Sequence, residues 1–345
     1  MEKGDNKMDK IKFGVIGCGT VAGYGHIPAI ASLKEAELFA LADIDEERLK
    51  EVGAKYNVKH LFTEYRDLLK LQEIEAVTVA TPLESHYPIV MEAAKYRKHV
   101  LCEKPISNDL REGQEMVEAM QKANRLLAIN FELRLSDVAQ EAKKELEKGS
   151  IGKPGIMRFI YLWSGPSWAG EERLDMLMEE GLGPIVDCGV HSFDLARWLG
   201  KSEFKEIQAD GVYLQGYPNP DHVVASCKLE NGIMVVIEQS WVYTHKSEEK
   251  RSDRRYDIIG DEGVITYITD HENINDFLVY TKDRTIKKEY QESKHFERLY
   301  GKFVESIKKG RLEEDIASGE DGLKATEAAL LALQSAKCSQ KIKLS

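Results

Sequence analysis

Over its first 130 residues the chain alternates short, uninterrupted apolar runs with amphipathic stretches. The apolar runs predict β-strands at residues 11–16, 38–43, 76–80, 99–102 and 126–130. The amphipathic stretches predict helices at residues 45–55, 85–96 and 110–123. Strands without a polar face belong to parallel sheets that helices cover on both sides. We therefore expect residues 1–130 to form an α/β domain built on a parallel sheet.

The pattern changes after residue 130. A charged helix is predicted at residues 137–148, and strands then dominate, at 156–163, 207–214, 223–229, 233–242, 256–259, 264–268 and 277–281. Asn231-Gly232 joins two of these strands and is a strong signal for a β-hairpin. The charged run at 246–255 is interpreted as a solvated loop, and helices at 296–308 and 319–336 end the chain. Hairpin-connected strands predict an antiparallel sheet, so we expect residues 131–345 to form a separate α+β domain.

Composition narrows the possible partners. Asp and Glu total 59 against 48 Lys and Arg, a net charge of −11, which disfavours nucleic acid and anionic membranes as partners. No apolar run is long enough to span a bilayer, and the charged N-terminus lacks the apolar core of a secretory signal. The five cysteines are scattered and have no metal-ligand spacing. We expect a cytoplasmic protein with reduced thiols and no bound metal.

A glycine-rich turn follows the first predicted strand. Gly17, Gly19 and Ala22 fit the pattern GxGxxG/A, and Thr20 and Val21 complete it before a helical stretch. The first glycine permits the tight turn, the second lets the backbone approach a pyrophosphate, and the small third residue lets the helix pack on the strand. At this position in a strand–helix alternation, the turn predicts a Rossmann domain that binds a dinucleotide.

Asp43 closes the second predicted strand, 24 residues after Gly19. A carboxylate near this spacing accepts hydrogen bonds from the adenosine ribose and repels the 2′-phosphate of NADP. The alternative role is an N-cap for the next helix, but Asp45 can fill it and leave Asp43 free. Since Ile44 rather than a basic residue follows, we expect NAD as the cofactor.

Two further polar segments follow neighbouring predicted strands. Thr81-Pro82 ends the strand at 76–80, with His86 on the next helix, and Glu103-Lys104-Pro105 follows the strand at 99–102. Open parallel sheets bind ligands at the carboxyl ends of their strands. A lysine there can face the nicotinamide, although a surface lysine taken alone is usually only solvated.

Residues 99–105 (HVLCEKP) resemble the signature of the Gfo/Idh/MocA oxidoreductases, which include glucose–fructose oxidoreductase and inositol dehydrogenase. Further features resemble this family in the same order along residues 11–338. They are the glycine turn, Thr81-Pro82 with His86, Asn130 followed by Arg134, residues 183–191 (GPIVDCGVH), and Glu320-Asp321-Gly322 before an alanine-rich helix.

The resemblance implies a Rossmann domain followed by a domain with an open-faced antiparallel sheet. It implies that Lys104 is the active-site lysine, in a cis peptide bond with Pro105, and that Asp187 and His191 are a polar pair on the substrate side. We expect cofactor contacts from Gly17, Gly19, Thr20, Val21, Ala22, Asp43, Thr81, Pro82, His86, Glu103 and Lys104. We expect substrate contacts from Lys104, Arg134, Trp168, Asp187 and His191.

The chemistry of these residue types agrees with those roles. Asp187 and His191 are four residues apart, so on a helix both face one side. Oxidation of a secondary alcohol needs a base for the hydroxyl proton, which histidine can be near neutral pH, and Lys104 can stabilise the alkoxide. The alternatives are an Asp–His pair that caps a helix, or half of a metal site that has no further ligands nearby. Whether Lys104 or His191 accepts the proton stays open. Trp168, in a Gly- and Pro-containing loop, offers a face for stacking on a sugar ring.

We interpret the chain as an NAD-dependent dehydrogenase that transfers hydride between the nicotinamide and a hydroxyl carbon of a sugar, inositol or related polyol. Two alternatives are a redox-neutral lyase or glycosidase with tightly held NAD, and a non-enzymatic sensor of dinucleotide or sugar. Because only one face of the long predicted sheet can pack on its own helices, and the family resemblance points the same way, we expect a homodimer or homotetramer.

Overall fold

A computed structural model describes residues 10–166, 171–179, 182–269, 275–290 and 295–344. The chain forms two compact units. The first comprises Met1–Glu132 with Lys294–Leu323, and the second Leu133–Ser293 with Lys324–Ser345. Residues 294–323, predicted from the sequence to lie in the second domain, are therefore part of the first unit.

The strands, in chain order, are β1 (Ile11–Ile16), β2 (Ala36–Ala42), β3 (His60–Phe62), β4 (Ala76–Val79), β5 (His99–Cys102), β6 (Leu127–Ile129), β7 (Pro154–Leu162), β8 (Phe204–Val212), β9 (His222–Leu229), β10 (Met234–Ser240), β11 (Asp253–Gly260), β12 (Gly263–Thr269), β13 (Asn275–Thr281), β14 (Thr285–Glu289) and β15 (Ile342–Lys343). The α-helices are α1 (Ile27–Ser32), α2 (Glu46–Tyr56), α3 (Tyr65–Leu69), α4 (His86–Lys95), α5 (Leu110–Lys122), α6 (Asp137–Glu147), α7 (Glu171–Glu179), α8 (Pro184–Asp187), α9 (Gly189–Gly200), α10 (Phe296–Lys309) and α11 (Gly319–Cys338).

The first unit contains a parallel sheet of six strands in the order β3-β2-β1-β4-β5-β6. The predicted α/β fold is confirmed, and all five predicted strands are present. The side chains of the central strands are buried, including Phe13, Val15, Val77 and Leu101. Strand β3 was not predicted because it has only three residues, none of them fully buried. Since β1 and β4 are neighbours in mid-sheet, the turns that follow them lie at the same edge.

Aromatic residues of α10 attach the C-terminal segment to the first unit. The Tyr300 ring packs edge-on against Phe13 with 5.5 Å between centroids, and Phe303 lies 6.2 Å from the same ring. Farther along, the N–H of Ile129 donates to the carbonyl of Ala317 at 2.9 Å. The helix itself is visible in the sequence, but its partner is about 290 residues away along the chain and leaves no local signal.

The second unit contains a nine-stranded sheet in the order β14-β13-β12-β11-β7-β10-β9-β8-β15. It is antiparallel as predicted, except that β7 and β10 pair in parallel. Helices α7 to α9 and strands β8 and β9 lie between β7 and β10 in the chain, so β7 and β10 are not joined by a hairpin. Strand β14 (TIKKE) was not predicted because it is an edge strand rich in lysine, a composition that protects edges from further pairing.

Among the described residues, one face of the second sheet is partly open. The burial of β9 alternates, with Val223, Ala225 and Cys227 buried and Val224 exposed between them. Met234 of β10 and Tyr280 of β13 are also exposed. Helices α8 and α9 contact β10 on the buried face. In the part of the chain that the structure describes, no helix is both long and apolar enough to cross a membrane.

Candidate active site

The backbone of the glycine turn explains both glycines. Gly17 has a φ of 91°, and a Cβ there would lie 2.4 Å from the carbonyl oxygen of Ala80. Only glycine fits, because L-residues are strained at this φ and the space is closed. Among the described residues, nothing lies within 4 Å of the Cβ position at Gly19. This open side gives a pyrophosphate access to the backbone.

A helix starts at the turn and runs from residue 20 to residue 32, with a π-helical turn at Ala22–His26. Thr20 is exposed, Val21 is half-buried and Ala22 is fully buried against the sheet. Backbone N–H groups at a helix start bind anions. Residues 17–22 therefore fit a dinucleotide pyrophosphate in conformation, space and electrostatics.

Asp43 directly follows β2 and is 8% exposed. Its Oδ2 accepts the backbone N–H of Cys18 at 2.6 Å, and its Oδ1 accepts that of Asp45 at 2.9 Å. Asp45 caps α2, as anticipated, by accepting the N–H of Arg48. Asp43 is therefore not the cap of α2, as expected, although each of its oxygens accepts a backbone N–H. Each carboxylate oxygen has a second lone pair, so Asp43 can hold the turn and still accept a ribose hydroxyl.

Thr81 and Pro82 follow β4 beside the glycine turn. The Cγ2 atom of Thr81 lies 3.1 Å from the Cβ position of Gly17. The Thr81 Oγ1 is buried and has no hydrogen-bond partner among the described residues, while Pro82 is exposed. An unsatisfied buried hydroxyl beside the turn fits a cofactor contact.

His86 is enclosed by backbone rather than aimed at a ligand. Its Nδ1 lies 3.0 Å from the carbonyl oxygen of Pro105 and its Nε2 lies 3.1 Å from that of Thr81. Burial lowers the pKa of His86, although both carbonyls and the charge of Glu103 raise it. A neutral ring has one N–H, so it donates to one carbonyl at a time. The predicted cofactor contact of His86 is thus corrected: the ring braces the segments that carry Thr81 and Pro105.

Lys104 follows β5, the neighbour of β4, and is half-buried. The Lys104–Pro105 peptide bond is cis, as the resemblance implies. Glu103 is buried, and its Oε1 lies 2.6 Å from His26 Nε2 and 2.5 Å from Asn130 Nδ2. Two protein groups thus bind Oε1, while Oε2 accepts the backbone N–H of Lys104 at 3.3 Å and keeps a second lone pair, so the cofactor contact of Glu103 stays a prediction. Lys104 is the cationic side chain of this segment, and it follows β5 at the edge where open parallel sheets bind ligands.

Asp187 and His191 lie four residues apart on a nearly continuous helix. Helix α8 ends at Asp187, Cys188 is also helical, and α9 begins at Gly189. Both side chains are half-buried, and the Cys188 thiol donates to Asp187 Oδ2 at 3.6 Å. With helical backbone between them, the four-residue spacing favours a carboxylate and an imidazole on one side of the helix.

The chain enters this helix through a constrained backbone. Leu182 and Gly183 both have positive φ, 62° and 74°, before Pro184 at the first helical position. A leucine in the left-handed region is strained, and such strain clusters at functional sites. A Cβ at Gly189 would lie 3.3 Å from Cγ of Gln239, so the glycine lets the helix pack closely on β10.

Residues 11–131 match the family model for the NAD-binding Rossmann fold of the Gfo/Idh/MocA oxidoreductases, and residues 139–266 match the GFO/IDH/MocA C-terminal domain. An uncharacterized oxidoreductase of Bacillus subtilis is 30% identical over 94% of each chain. This chain belongs to the Gfo/Idh/MocA family. Its fold, its NAD cofactor and its nature as an NAD-dependent dehydrogenase are thereby confirmed.

Two further family members cover nearly the whole chain. The myo-inositol 2-dehydrogenase of Thermotoga maritima is 28% identical over 97% of this chain and 98% of its own. The crystal structure of a scyllo-inositol dehydrogenase from Lactobacillus casei, with NAD(H) and scyllo-inositol bound, superposes with a TM-score of 0.81 and 23% identity. That superposition covers 97% of this chain and 99% of the other.

One residue of this chain that we predicted to bind substrate instead contacts another side chain of the protein. Arg134 is 3% exposed, and its Nε and Nη2 donate to the two carboxylate oxygens of Asp194 at 2.7 and 2.6 Å. Its guanidinium also lies 6.0 Å from the Trp198 ring. The predicted substrate contact of Arg134 is corrected to a buried ion pair that ties the start of α6 to α9. Trp168, the predicted stacking residue, lies outside the described residues.

Sequence reasoning missed two groups of polar residues. His26 and Tyr300 join Glu103 inside the first unit. The sequence offered one indication of this first group, a histidine within the apolar helix that follows the glycine turn. In the second unit Arg254 packs over the Tyr161 ring at 4.3 Å, and Tyr161 stacks on Trp163 at 5.6 Å. Arg254 belongs to β11, so the predicted loop at 246–255 ends earlier than expected.

Proposed function

We propose that this dehydrogenase transfers hydride between NAD and a hydroxyl-bearing carbon of a sugar, inositol or related polyol. The observation that carries the proposal is the position of Lys104. It follows β5 at the same sheet edge as the glycine turn after β1, with one strand between β1 and β5. A cation there can stabilise the negative charge that develops on an oxygen as its carbon loses hydride. The inositol dehydrogenases among its relatives support the substrate class.

The roles of the residues follow from their chemistry. Residues 17–22 bind the pyrophosphate, and Asp43 accepts hydrogen bonds from the adenosine ribose. When bound, NAD supplies the carbon that accepts the hydride. On this proposal Lys104 and His191 handle the charge and the proton of the substrate hydroxyl, and Asp187 orients the imidazole or the substrate. The protein thus contributes orientation and electrostatics.

The test is a screen of inositols, aldoses and sugar acids with NAD, followed through the absorbance of NADH. Net NADH formation with at least one polyol, lost in Lys104→Ala, supports the proposal. Transient reduction without net NADH would indicate a redox-neutral reaction instead. Binding of NAD and a sugar without any reduction would indicate a sensor, and either result would overturn the proposal.

We also propose that the open face of the nine-stranded sheet mediates self-association. Val224, Met234 and Tyr280 are each 40% or more exposed on this face. A broad sheet face with several exposed apolar side chains is typical of protein–protein contacts. A second copy of the chain, packed against the same face, would bury these side chains symmetrically.

A further inference from the structure

Five polar side chains form one continuous hydrogen-bonded chain inside the first unit. The hydroxyl of Thr78 lies 2.6 Å from that of Tyr300, which lies 2.8 Å from Nδ1 of His26. His26 Nε2 contacts Glu103 Oε1 at 2.6 Å, and the amide of Asn130 donates to the same oxygen at 2.5 Å. All five residues are buried. This hydrogen-bonded array runs from β4 and α10 through the π-helical turn to the segment that carries Lys104.

Such a buried array is costly to build. Each polar group loses its hydration, and packed apolar residues of the same volume often stabilise a core equally well. Thr78, Tyr300 and His26 would therefore be easy to replace by apolar residues if they served packing alone. Their arrangement instead converges on one carboxylate, that of Glu103.

The charge state of Glu103 follows from its partners. Burial raises the pKa of Glu103, but the hydrogen bond and charge of His26, the charge of Lys104 and the hydrogen bond of Asn130 together lower it to about 2. Glu103 is thus an anion at neutral pH. A carboxylate anion only accepts hydrogen bonds, so His26 Nε2 carries a proton and donates it.

Glu103 acts on its neighbour in the chain. Its Oε2 accepts the backbone N–H of Lys104 at 3.3 Å. The mutual attraction of the two charges favours the charged form of both groups. The charge of Glu103 also acts on Tyr300, Cys102 and His86, whose neutral forms burial favours: it raises the pKa of Tyr300 and of Cys102 and lowers that of His86.

The position of His26 depends on close packing. It ends the π-helical turn of the helix that begins at the glycine turn. A Cβ at Gly25 would lie 2.6 Å from the ring of Phe296, so this glycine lets α10 approach and brings Tyr300 to His26. The Phe296 ring also packs edge-on against the imidazole at 4.8 Å. These contacts hold the ring with Nε2 toward Glu103.

We propose that His26 is a positioning residue that holds Glu103 as an anion behind Lys104, and that Glu103 thereby stabilises the ammonium form of Lys104. Lys104 then serves as a cation that stabilises the developing alkoxide, and the proton is accepted elsewhere. This mechanistic role rests on the proposed function. The charge relation among the three residues does not, so it is tested without substrate.

The experiment measures the titration of Lys104 directly. Trace acetylation by acetic anhydride is followed across the neutral and alkaline range on the full chain, and the Lys104 peptide is quantified by mass spectrometry. Only the neutral amine reacts, so the labelling rate reports deprotonation. Lys122, whose side chain is 79% exposed, is the internal reference. We expect the wild-type Lys104 to label only well above neutral pH, and Glu103→Gln to move its midpoint down by about one pH unit or more.

Two isosteric variants separate the two hydrogen bonds of His26. His26→Gln places an amide nitrogen near Nε2 and keeps the donor to Glu103, whereas His26→Asn places one near Nδ1 and loses that donor. The midpoint of Lys104 should fall in His26→Asn and stay near wild type in His26→Gln. Tyr300→Phe removes the hydroxyl at the end of the array that is far from Glu103. It should also leave the midpoint of Lys104 unchanged.

Several outcomes would overturn the inference. They are a wild-type Lys104 that labels near neutral pH, an unchanged midpoint in Glu103→Gln, or equal shifts in His26→Asn, His26→Gln and Tyr300→Phe. If His26→Asn does not fold, as judged by its thermal melt, Glu103→Gln and Tyr300→Phe still decide. The titration uses neither NAD nor a polyol. Its result therefore does not depend on the outcome of the substrate screen.

Discussion

The backbone N–H of Cys18 donates to the carboxylate of Asp43 at 2.6 Å, so the residue proposed to bind the ribose also fixes the glycine turn. The same carboxylate is 3.6 Å from the guanidinium of Arg48. On the proposed binding mode, one side chain therefore couples recognition of the ribose to the shape of the pyrophosphate site. Burial, with the charge of Asp43, raises the pKa of the Cys18 thiol to about 12, so the turn stays uncharged.

Asp43→Ala should weaken NADH binding and narrow the preference for NADH over NADPH. The variant loses the ribose acceptor and the anchor of the turn, and it removes the charge that repels a 2′-phosphate. Fluorescence titration of both reduced cofactors gives the two dissociation constants. Asp45→Ala is the matched control, since it removes the cap of α2 at a cost of about 1 kcal/mol and should keep the preference. A wild-type preference for NADPH would contradict the role of Asp43.

His191→Ala should lower kcat by about 10²–10⁴-fold, the usual loss when a general base is removed. The dissociation constant of NADH should hardly change, because His191 lies in the second unit and not in the Rossmann unit. Lys104→Ala should lower kcat and raise KM, since the proposed function puts its charge near the hydroxyl in both ground and transition states. Steady-state kinetics on a polyol found in the screen separates these patterns. A near-normal kcat in His191→Ala would exclude it as the base.

The strongest local patterns of the sequence predicted the fold and supplied the residues of the candidate site. The glycine turn, the HVLCEKP segment and the GPIVDCGVH segment each combine a short motif with a fixed place after a strand or on a helix. What the sequence did not reveal are contacts between distant segments. Tyr300 meets His26 across 274 residues, and no local pattern in either segment specifies the other.

The two corrected residues show the complementary limit. His86 and Arg134 occur at motif positions, but a motif gives only the location of a side chain. Each has hydrogen-bond partners within the protein. His86 contacts the carbonyls of Thr81 and Pro105, and Arg134 binds the carboxylate of Asp194. A buried polar group binds the partners that the folded backbone offers, and these are known only from the structure.

The open sheet face predicts the oligomeric state. Sedimentation should show a dimer or tetramer at micromolar concentration, and Val224→Glu with Met234→Glu should shift it toward the monomer. Charges on an apolar contact lose hydration without gaining partners. Lys122→Glu, at an exposed position of α5, is a control for added negative charge and should not dissociate the assembly. A wild-type monomer would contradict the proposal.

His99 predicts a pH-dependent part of the stability. Burial, and then the charge of Arg125, lowers its pKa from 6.5 to about 4. Its Nδ1 accepts the N–H of Leu126 at 3.1 Å, a bond that protonation removes. Because the folded pKa is depressed, this stability is complete above pH 6.5 and is lost as the pH falls from 6.5 toward 4. Urea unfolding at several pH values should show a smaller loss over this range in His99→Gln than in wild type, and no such difference in His60→Gln, at an exposed position of β3. If the free energy of unfolding fell equally with pH in wild type and His99→Gln, the role of His99 would be refuted.

Arg134 should matter for folding rather than for substrate. Arg134→Met leaves the Asp194 carboxylate buried without its bidentate partner, so we expect a loss of about 3–5 kcal/mol in the free energy of unfolding. Arg134→Lys should recover little, because an ammonium cannot reproduce two parallel hydrogen bonds. The double variant Arg134→Met, Asp194→Leu removes both charges and should be more stable than Arg134→Met alone. Urea denaturation measures all three. If Arg134→Met instead kept wild-type stability and raised only the KM for the polyol, the substrate role predicted from the sequence would be correct and the structural role wrong.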